Sequence, residues 1–302
     1  MSFSASKATD IVDIPLNWDT MELESGQNRA ALSRKTRKQA SGTTQLRNGE
    51  MRRLLVICAV AVLVFSTEAD RGHAMKAQEL VQATVEYLRG ETSLAEVEMT
   101  IHRPEWQRTM SIKAWTKGRE KSVFWIVSPP KDKGNGTLKR GDEMWIYNPK
   151  INRVIKLPPS MMSQSWQGSD FSNNDLAKSD NIVDKYTHEI VGTQTHQGKT
   201  AYVIRSLPKP GAPVIWGMQK LVIREDRILL RQAFFDEDRK PVKILTMEKI
   251  EMMGGKLYPV RWRMINAEER EEYTLLDYRE LEFGVSIPET MFSAASLQNP
   301  RF

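Results

Sequence analysis

Between Met75 and Leu88 the apolar residues Ala77, Leu80, Val81, Val85 and Leu88 recur at helical spacing, and Gly90 stands where such a helix would end. The period then changes to two. Val97, Met99 and Ile101 alternate with Glu96, Glu98 and Thr100, and Met110, Ile112 and Ala114 alternate with Ser111 and Lys113. That alternation predicts two half-buried strands, with the apolar set on one face and the charged set on the other.

Turn signals then recur at short intervals: Pro129-Pro130, Gly134-Asn135-Gly136, Gly141-Asp142, Asn148-Pro149 and Pro158-Pro159. They separate strand-like runs at 121–128, 143–148 and 152–157. After a polar, loop-rich interruption, seven more runs follow at 181–193, 199–207, 218–225, 227–236, 241–253, 256–265 and 271–281. Short strands joined by tight turns predict an antiparallel sheet. The stretch 287–297 closes the chain as a short helix, with Pro288 and Glu289 in its first turn and Met291, Phe292, Ala295 and Leu297 as its apolar face. The expected fold is α+β and mainly β, a sheet of about 11 strands between an N-terminal and a C-terminal helix. A sheet that long curls, and helices on one face would shield a concave apolar surface.

Ahead of this domain, Arg52 and Arg53 precede an unbroken apolar run from Leu54 to Phe65, followed by small and polar residues. The run has the charge, length and exit of a secretory signal peptide at 51–74, cleaved after Ala69 or Ala74. A membrane span needs about 20 apolar residues, more than this run supplies. Residues 1–50 are polar and aperiodic, consistent with disorder or with a start codon assigned too early; the rival is a cytoplasmic extension on an uncleaved anchor. Either way residues 75–302 are expected as one folded domain outside the cytoplasm, in the periplasm.

Cys58 is the only cysteine and lies in the leader, so the exported part would hold no disulfide, thiol nucleophile or cysteine metal site. Of 44 Lys and Arg and 38 Asp and Glu, 10 and 8 precede Met75, which leaves 34 against 30. So mild a basic excess reads as a solvated surface and does not point to nucleic acid, although Trp106, Trp115, Trp125 and Trp145 lie near Arg108, Lys113, Lys117 and Lys121. His102, His188 and His196 lack a second ligand at zinc spacing. Asp170, Asp175, Asp180 and Asp184 are too far apart for a calcium loop. Gly168-Ser169-Asp170 lacks the second glycine of a nucleophile elbow, and Gly134-Asn135-Gly136 is a turn with no phosphate-loop continuation. No catalytic residue, metal or cofactor is therefore assigned. A hydrolase survives only if one of the three histidines meets a serine and a carboxylate in space. Methionine is plentiful on the expected strands, either as core filler or as an adaptable ligand surface.

Two segments carry a resemblance. The stretch 141–157 has Trp145 and Tyr147 two apart before Pro149 and then a basic, apolar strand, while 164–176 contains Gly168-Ser169-Asp170-Phe171-Ser172 with Asp175. With Tyr258-Pro259 and the closing 287–292, the order over 75–302 is similar to that of the outer-membrane lipoprotein-sorting proteins of the LolA-like superfamily. The resemblance implies an incomplete β-barrel whose hollow is covered by helices. It also implies a monomeric periplasmic carrier of lipid or lipoprotein acyl chains that works beside an ABC-type or RND-type inner-membrane transporter.

On this reading Val97, Met99, Ile101, Met110, Ile112 and Ala114 face the hollow as lipid contacts, while Trp145 and Tyr147 line its rim or anchor the sheet core. Trp166, Gly168, Ser169, Asp170 and Phe171 form a loop for partner docking or gating, or else a structural Ω-loop. The rival function is an accessory or stress-sensing subunit that binds an envelope protein through the same sheet. That rival expects a filled interior.

Overall fold

The computed structural model describes residues 77–300. The expected leader at 51–74 and the segment 1–50 lie outside those residues. Helix α1 occupies 77–89 and stops at Gly90, whose φ of +63° suits a glycine that ends a helix. Thirteen strands follow in one sheet. They are β1 (Thr92–Arg103), β2 (Trp106–Lys117), β3 (Lys121–Ser128), β4 (Gly136–Arg140), β5 (Glu143–Asn148), β6 (Arg153–Lys156) and β7 (Tyr186–His196). The rest are β8 (Lys199–Pro208), β9 (Met218–Arg224), β10 (Leu229–Phe235), β11 (Pro241–Met253), β12 (Lys256–Asn266) and β13 (Tyr273–Phe283).

The spatial order is β6-β5-β4-β3-β2-β1-β13-β12-β11-β10-β9-β8-β7, so neighbours are consecutive in the chain except at the β1–β13 seam. Pairing is antiparallel throughout, with register shifts at Glu96/Val97 and along β11 where the sheet curls. Strands β6 and β7 lie at opposite edges although they are consecutive in sequence. The connection between them must therefore cross from one edge to the other, over the open side of the sheet.

That connection holds two 3₁₀ turns, Pro159–Met161 and Trp166–Gly168, then α2 (Asn173–Lys178) and α3 (Asn181–Lys185). Residues 181–185 had been expected as the start of a strand. Strand β4 was not expected, because its five residues sit between two glycine turns and include Lys139, which is buried.

Residues directly opposed across strands share a face. Ala95, Ala114 and Phe124 stand together on the concave side, and Leu94, Trp115, Val123, Leu138 and Trp145 on the convex side. Helix α1 packs on the concave side through Ala77 and Val81, which share a core with Tyr186, Ile204, Leu221, Phe234, Met247 and Met264. The C-terminal 3₁₀ turn (Glu289–Phe292) and α4 (Ala294–Leu297) lie on the other side. There Ile287, Met291, Phe292 and Leu297 close over Val123, Trp125, Leu138 and Tyr147. The physical reason is in β3, whose Val123, Trp125 and Ile126 are buried across both faces, so the convex face also needs a cover. Gly136 permits that close approach, since a Cβ there would meet Leu297 Cδ2 at 3.0 Å and the Trp125 ring at 3.1 Å. The hollow itself is covered by α1 and by the 157–185 crossing.

Candidate functional site

Under α1 and the crossing segment lies a cavity of about 300 Å³, a volume at the lower end of that of ligand sites. Its walls come from α1 (Val81, Val85, Leu88), the first strands (Ala95, Val97, Ile112, Ala114, Phe124) and the far half of the sheet (Phe234, Met247, Trp262, Met264, Leu276). Trp166, Phe171 and Leu176 of the crossing segment, with Trp216 of the loop before β9, complete it.

The six alternating positions of β1 and β2 all point to the concave side, as the period of two requires. Val97, Ile112 and Ala114 line the cavity. Met99, Ile101 and Met110 lie in the adjoining core with Ile112, Ile126 and Trp166, where Met99 and Ile101 are fully buried. Trp145 and Tyr147 are on the convex side against the C-terminal turns, away from the cavity. Of the two roles considered for them, this position matches anchoring of the sheet and not lining of the hollow's rim.

The 164–176 loop splits by residue type. Trp166 and Phe171 turn into the cavity, while Asp170 turns to the β1–β13 seam. The Trp166 indole N–H donates to Thr137 Oγ1 at 3.0 Å and its ring meets Phe124 edge-on at 6.0 Å. Asp170 accepts from Arg103 at 3.0 and 3.2 Å and from the Thr274 hydroxyl at 2.6 Å. Ser169 Oγ donates to the Trp166 carbonyl at 2.7 Å, and Gln167 and Gly168 take φ of 55° and 78° to close the turn. The loop thus holds two aromatic side chains inward from a polar frame.

The crossing segment has two further ties. Ser172 caps α2 in a reciprocal box with Asp175, and Asp175 Oδ2 also accepts from Lys243 Nζ of β11 at 2.7 Å. Asp180, before α3, meets Lys139 Nζ at 2.8 Å and Arg89 Nη2 at 3.1 Å. Burial pushes the Lys139 ammonium down from its usual value, and Asp180 opposes that fall. Burial likewise raises the phenols of Tyr258 and Tyr278, which line the cavity and meet edge to face at 5.2 Å.

Among the described residues the histidines assemble no Ser-His-Asp site. His188 Nδ1 lies 2.8 Å from Ser206 Oγ, but Ser206 is fully buried and His188 Nε2 has no hydrogen-bond partner among the described residues. A base without an orienting carboxylate, beside a hydroxyl sealed from solvent, lacks the third member of a triad and access for substrate. His102 stacks on Tyr273 at 4.5 Å, and His196 faces Arg224 at 3.3 Å. Among the described residues no group of three or more His, Cys, Asp or Glu is placed to hold a metal ion.

Several lining residues were not singled out from sequence: Phe124, Leu176, Trp216, Phe234, Trp262 and Leu276. Their strands were recognised, but a run buried on both faces, such as Met218–Arg224 with its Gln219, Lys220 and Arg224 buried too, does not disclose which face is concave. The alternation of Leu245 with Met247 and of Trp262 with Met264 was the available signal.

A family model described as an uncharacterized protein matches residues 118–299. No curated protein matches the chain. Among solved structures, a DUF1329 family protein from Desulfovibrio piger superposes with a TM-score of 0.67 at 24% identity, over 74% of this chain and 99% of that one. A putative outer membrane lipoprotein-sorting protein domain from Vibrio parahaemolyticus gives 0.64 at 20% identity, over 74% and 99%. A LolA superfamily protein from Nitrosomonas europaea gives 0.61 at 20% identity, over 72% and 97%.

Proposed function

This chain belongs to the family of uncharacterized proteins whose model spans residues 118–299, and on that premise we propose that it is a periplasmic carrier of the LolA-like kind, whose fold it shares. It holds a lipid or lipoprotein acyl chain in the cavity and passes it between membranes with an inner-membrane transporter of ABC or RND type. The observation that carries the reading is the cavity under α1 and the 157–185 crossing, walled by aromatic and aliphatic side chains. Val97, Ile112 and Ala114 contact the chain directly, and Met99, Ile101 and Met110 form the packed layer beside it. A filled interior is what the accessory-subunit reading requires, and the cavity weighs against it.

Each buried methylene contributes about 0.8 kcal/mol, so about ten of them contribute about 8 kcal/mol, the equivalent of a micromolar dissociation constant before ordering costs. Affinity of that order suits a carrier, which must also release. Chemistry is not needed for such a role, and the proposal assigns none.

The test is native mass spectrometry with lipid extraction on the full chain expressed in a bacterial host. A co-purifying acyl lipid, absent from an Ala114→Trp variant that fills the cavity and still folds, is the expected result. An empty protein that also takes up no lipid in titration would end the carrier reading in favour of partner binding.

A further inference from the structure

One end of the cavity is polar, and its charges do not balance. Arg89, the last residue of α1, donates from Nε to the Gly118 carbonyl and from Nη2 to Ser122 Oγ, both at 3.2 Å. Its Nη2 also lies 3.1 Å from Asp180 Oδ2. Lys139 reaches the same carboxylate oxygen at 2.8 Å with its side chain 3% exposed. One carboxylate therefore faces two cations.

Lys178, two residues before Asp180, also lines the cavity, and among the described residues its side chain enters no ion pair or hydrogen bond. The Lys243–Asp175 pair neutralises itself. Glu120 also lies close enough to act on Lys139, so Arg89, Lys139 and Lys178 face Asp180 and Glu120, and one positive charge is left over at this end. The carbonyl end of α1 offsets about half a charge. Its Tyr87 and Leu88 carbonyls already accept from Lys256 and the Tyr258 hydroxyl. Among the described residues the bonds of Arg89 engage Nε and Nη2, and none engages Nη1. Ser93, Thr116 and Ser122 line the same end, with the Ser93 and Thr116 hydroxyls 2.6 Å apart.

Excess positive charge half-sequestered from water beside an apolar cavity is unfavourable unless an anion joins it. We propose that this end binds the anionic head of the cargo, a phosphate or carboxylate joined to the acyl chain. Arg89 and Lys178 are its ion partners and the Ser93, Thr116 and Ser122 hydroxyls its hydrogen-bond partners. The proposal rests on the carrier reading and narrows it: an acyl chain in neutral linkage offers this end nothing, so the cargo class is an acidic lipid.

The test titrates the full chain with palmitate, hexadecyl phosphate, hexadecanol and inorganic phosphate. Both acids are expected to bind at least about tenfold tighter than hexadecanol. Arg89→Gln should shrink that ratio, and Asp180→Asn, which changes the charge in the opposite sense, should enlarge it. The second variant decides the matter if the first does not fold. Equal affinity for all three chain ligands overturns the headgroup site and leaves the carrier standing. Binding of inorganic phosphate as tight as that of hexadecyl phosphate overturns it too, since the anion would then be held without its chain. Failure of all three chain ligands sinks the carrier reading itself.

Discussion

Arg103 and Asp170 form a two-pronged ion pair, Nη2 to Oδ1 at 3.0 Å and Nη1 to Oδ2 at 3.2 Å, that ties the loop carrying Trp166 and Phe171 to the seam between β1 and β13. The same guanidinium meets Glu272 from Nε at 2.9 Å. A paired fork of this kind fixes direction as well as distance. It therefore sets how far the two aromatic rings reach into the cavity.

Asp170→Asn keeps the size of the side chain but removes the charge that faces Arg103. A stability loss of about 1–3 kcal/mol is expected, because a partly buried charge-assisted bond is weakened while its partner stays in place. Urea unfolding checks the loss, and a faster release of bound lipid in stopped-flow displacement checks the gating role. Unchanged release with lowered stability would reduce the loop to a structural part.

Met99 and Ala114 separate packing from binding. Met99 is fully buried in the adjoining core, so Met99→Ala is expected to cost about 2–5 kcal/mol. Ala114 lines the cavity, so Ala114→Trp has room to enter it and should abolish lipid uptake at a smaller cost in thermal stability. The pair of variants is read by melting temperature and lipid titration together. Equal effects of both on both readouts would deny the cavity a separate role.

Burial pushes the His188 imidazole from its usual 6.5 to about 4. The folded chain then holds His188 neutral where the unfolded chain would protonate it. The stabilisation is complete above pH 6.5 and is lost as pH falls from there toward 4, to a limit of about 3 kcal/mol. His196 is lowered as well, by burial and then by Arg224, and acts in the same sense. Glu289, held at about 2 by Lys117 and Lys121, keeps its share above the ordinary carboxylate value of 4.5 and loses it as pH falls from there toward 2. Unfolding midpoints between pH 6.5 and 5 should therefore fall less steeply in His188→Gln than in the parent chain.

Gly217 lies against the β10–β11 turn, where an added Cβ would stand 2.4 Å from the Asp236 carbonyl and 2.7 Å from Glu237 Cα. The obstacle is backbone, which cannot step aside as a long side chain would. Gly217→Ala is expected to cost about 1–3 kcal/mol. It should also move the neighbouring Trp216, whose carbonyl accepts from the Tyr186 hydroxyl at 3.0 Å and whose side chain lines the cavity. Weaker lipid binding alongside the lower melting point would confirm that the loop before β9 is part of the wall.

Much of this was readable along the chain, for reasons that differ from element to element. From Ala95 to Ile101 and from Met110 to Ala114 apolar residues alternate with charged or hydroxyl ones, and a period of two has only one way to lie against a core. The concave set from Val97 to Ala114 follows from that alone. Strand β3 gives no such guidance, because Val123, Trp125 and Ile126 are all buried. The side on which the C-terminal turns would pack was consequently open, and they took the convex side. Trp145 went with them: its partner across the ladder is Leu138, and that face belongs to Ile287 and Leu297.

What the chain alone determined was local: where α1 ends, where most of the strands run, though not β4, that the pairing is antiparallel, and which residues of β1 and β2 share a face. Those properties depend on neighbours a few positions apart, and propensity and periodicity record them. Only the tertiary structure decided that β6 and β7 stand at opposite edges, that the 157–185 connection must therefore cross the hollow, and that Arg89, Lys139 and Asp180 meet at one end of it. These residues are distant in sequence and no repeating pattern links them. Their meeting is set by the curl of thirteen strands and by the path the chain takes to get from one edge to the other.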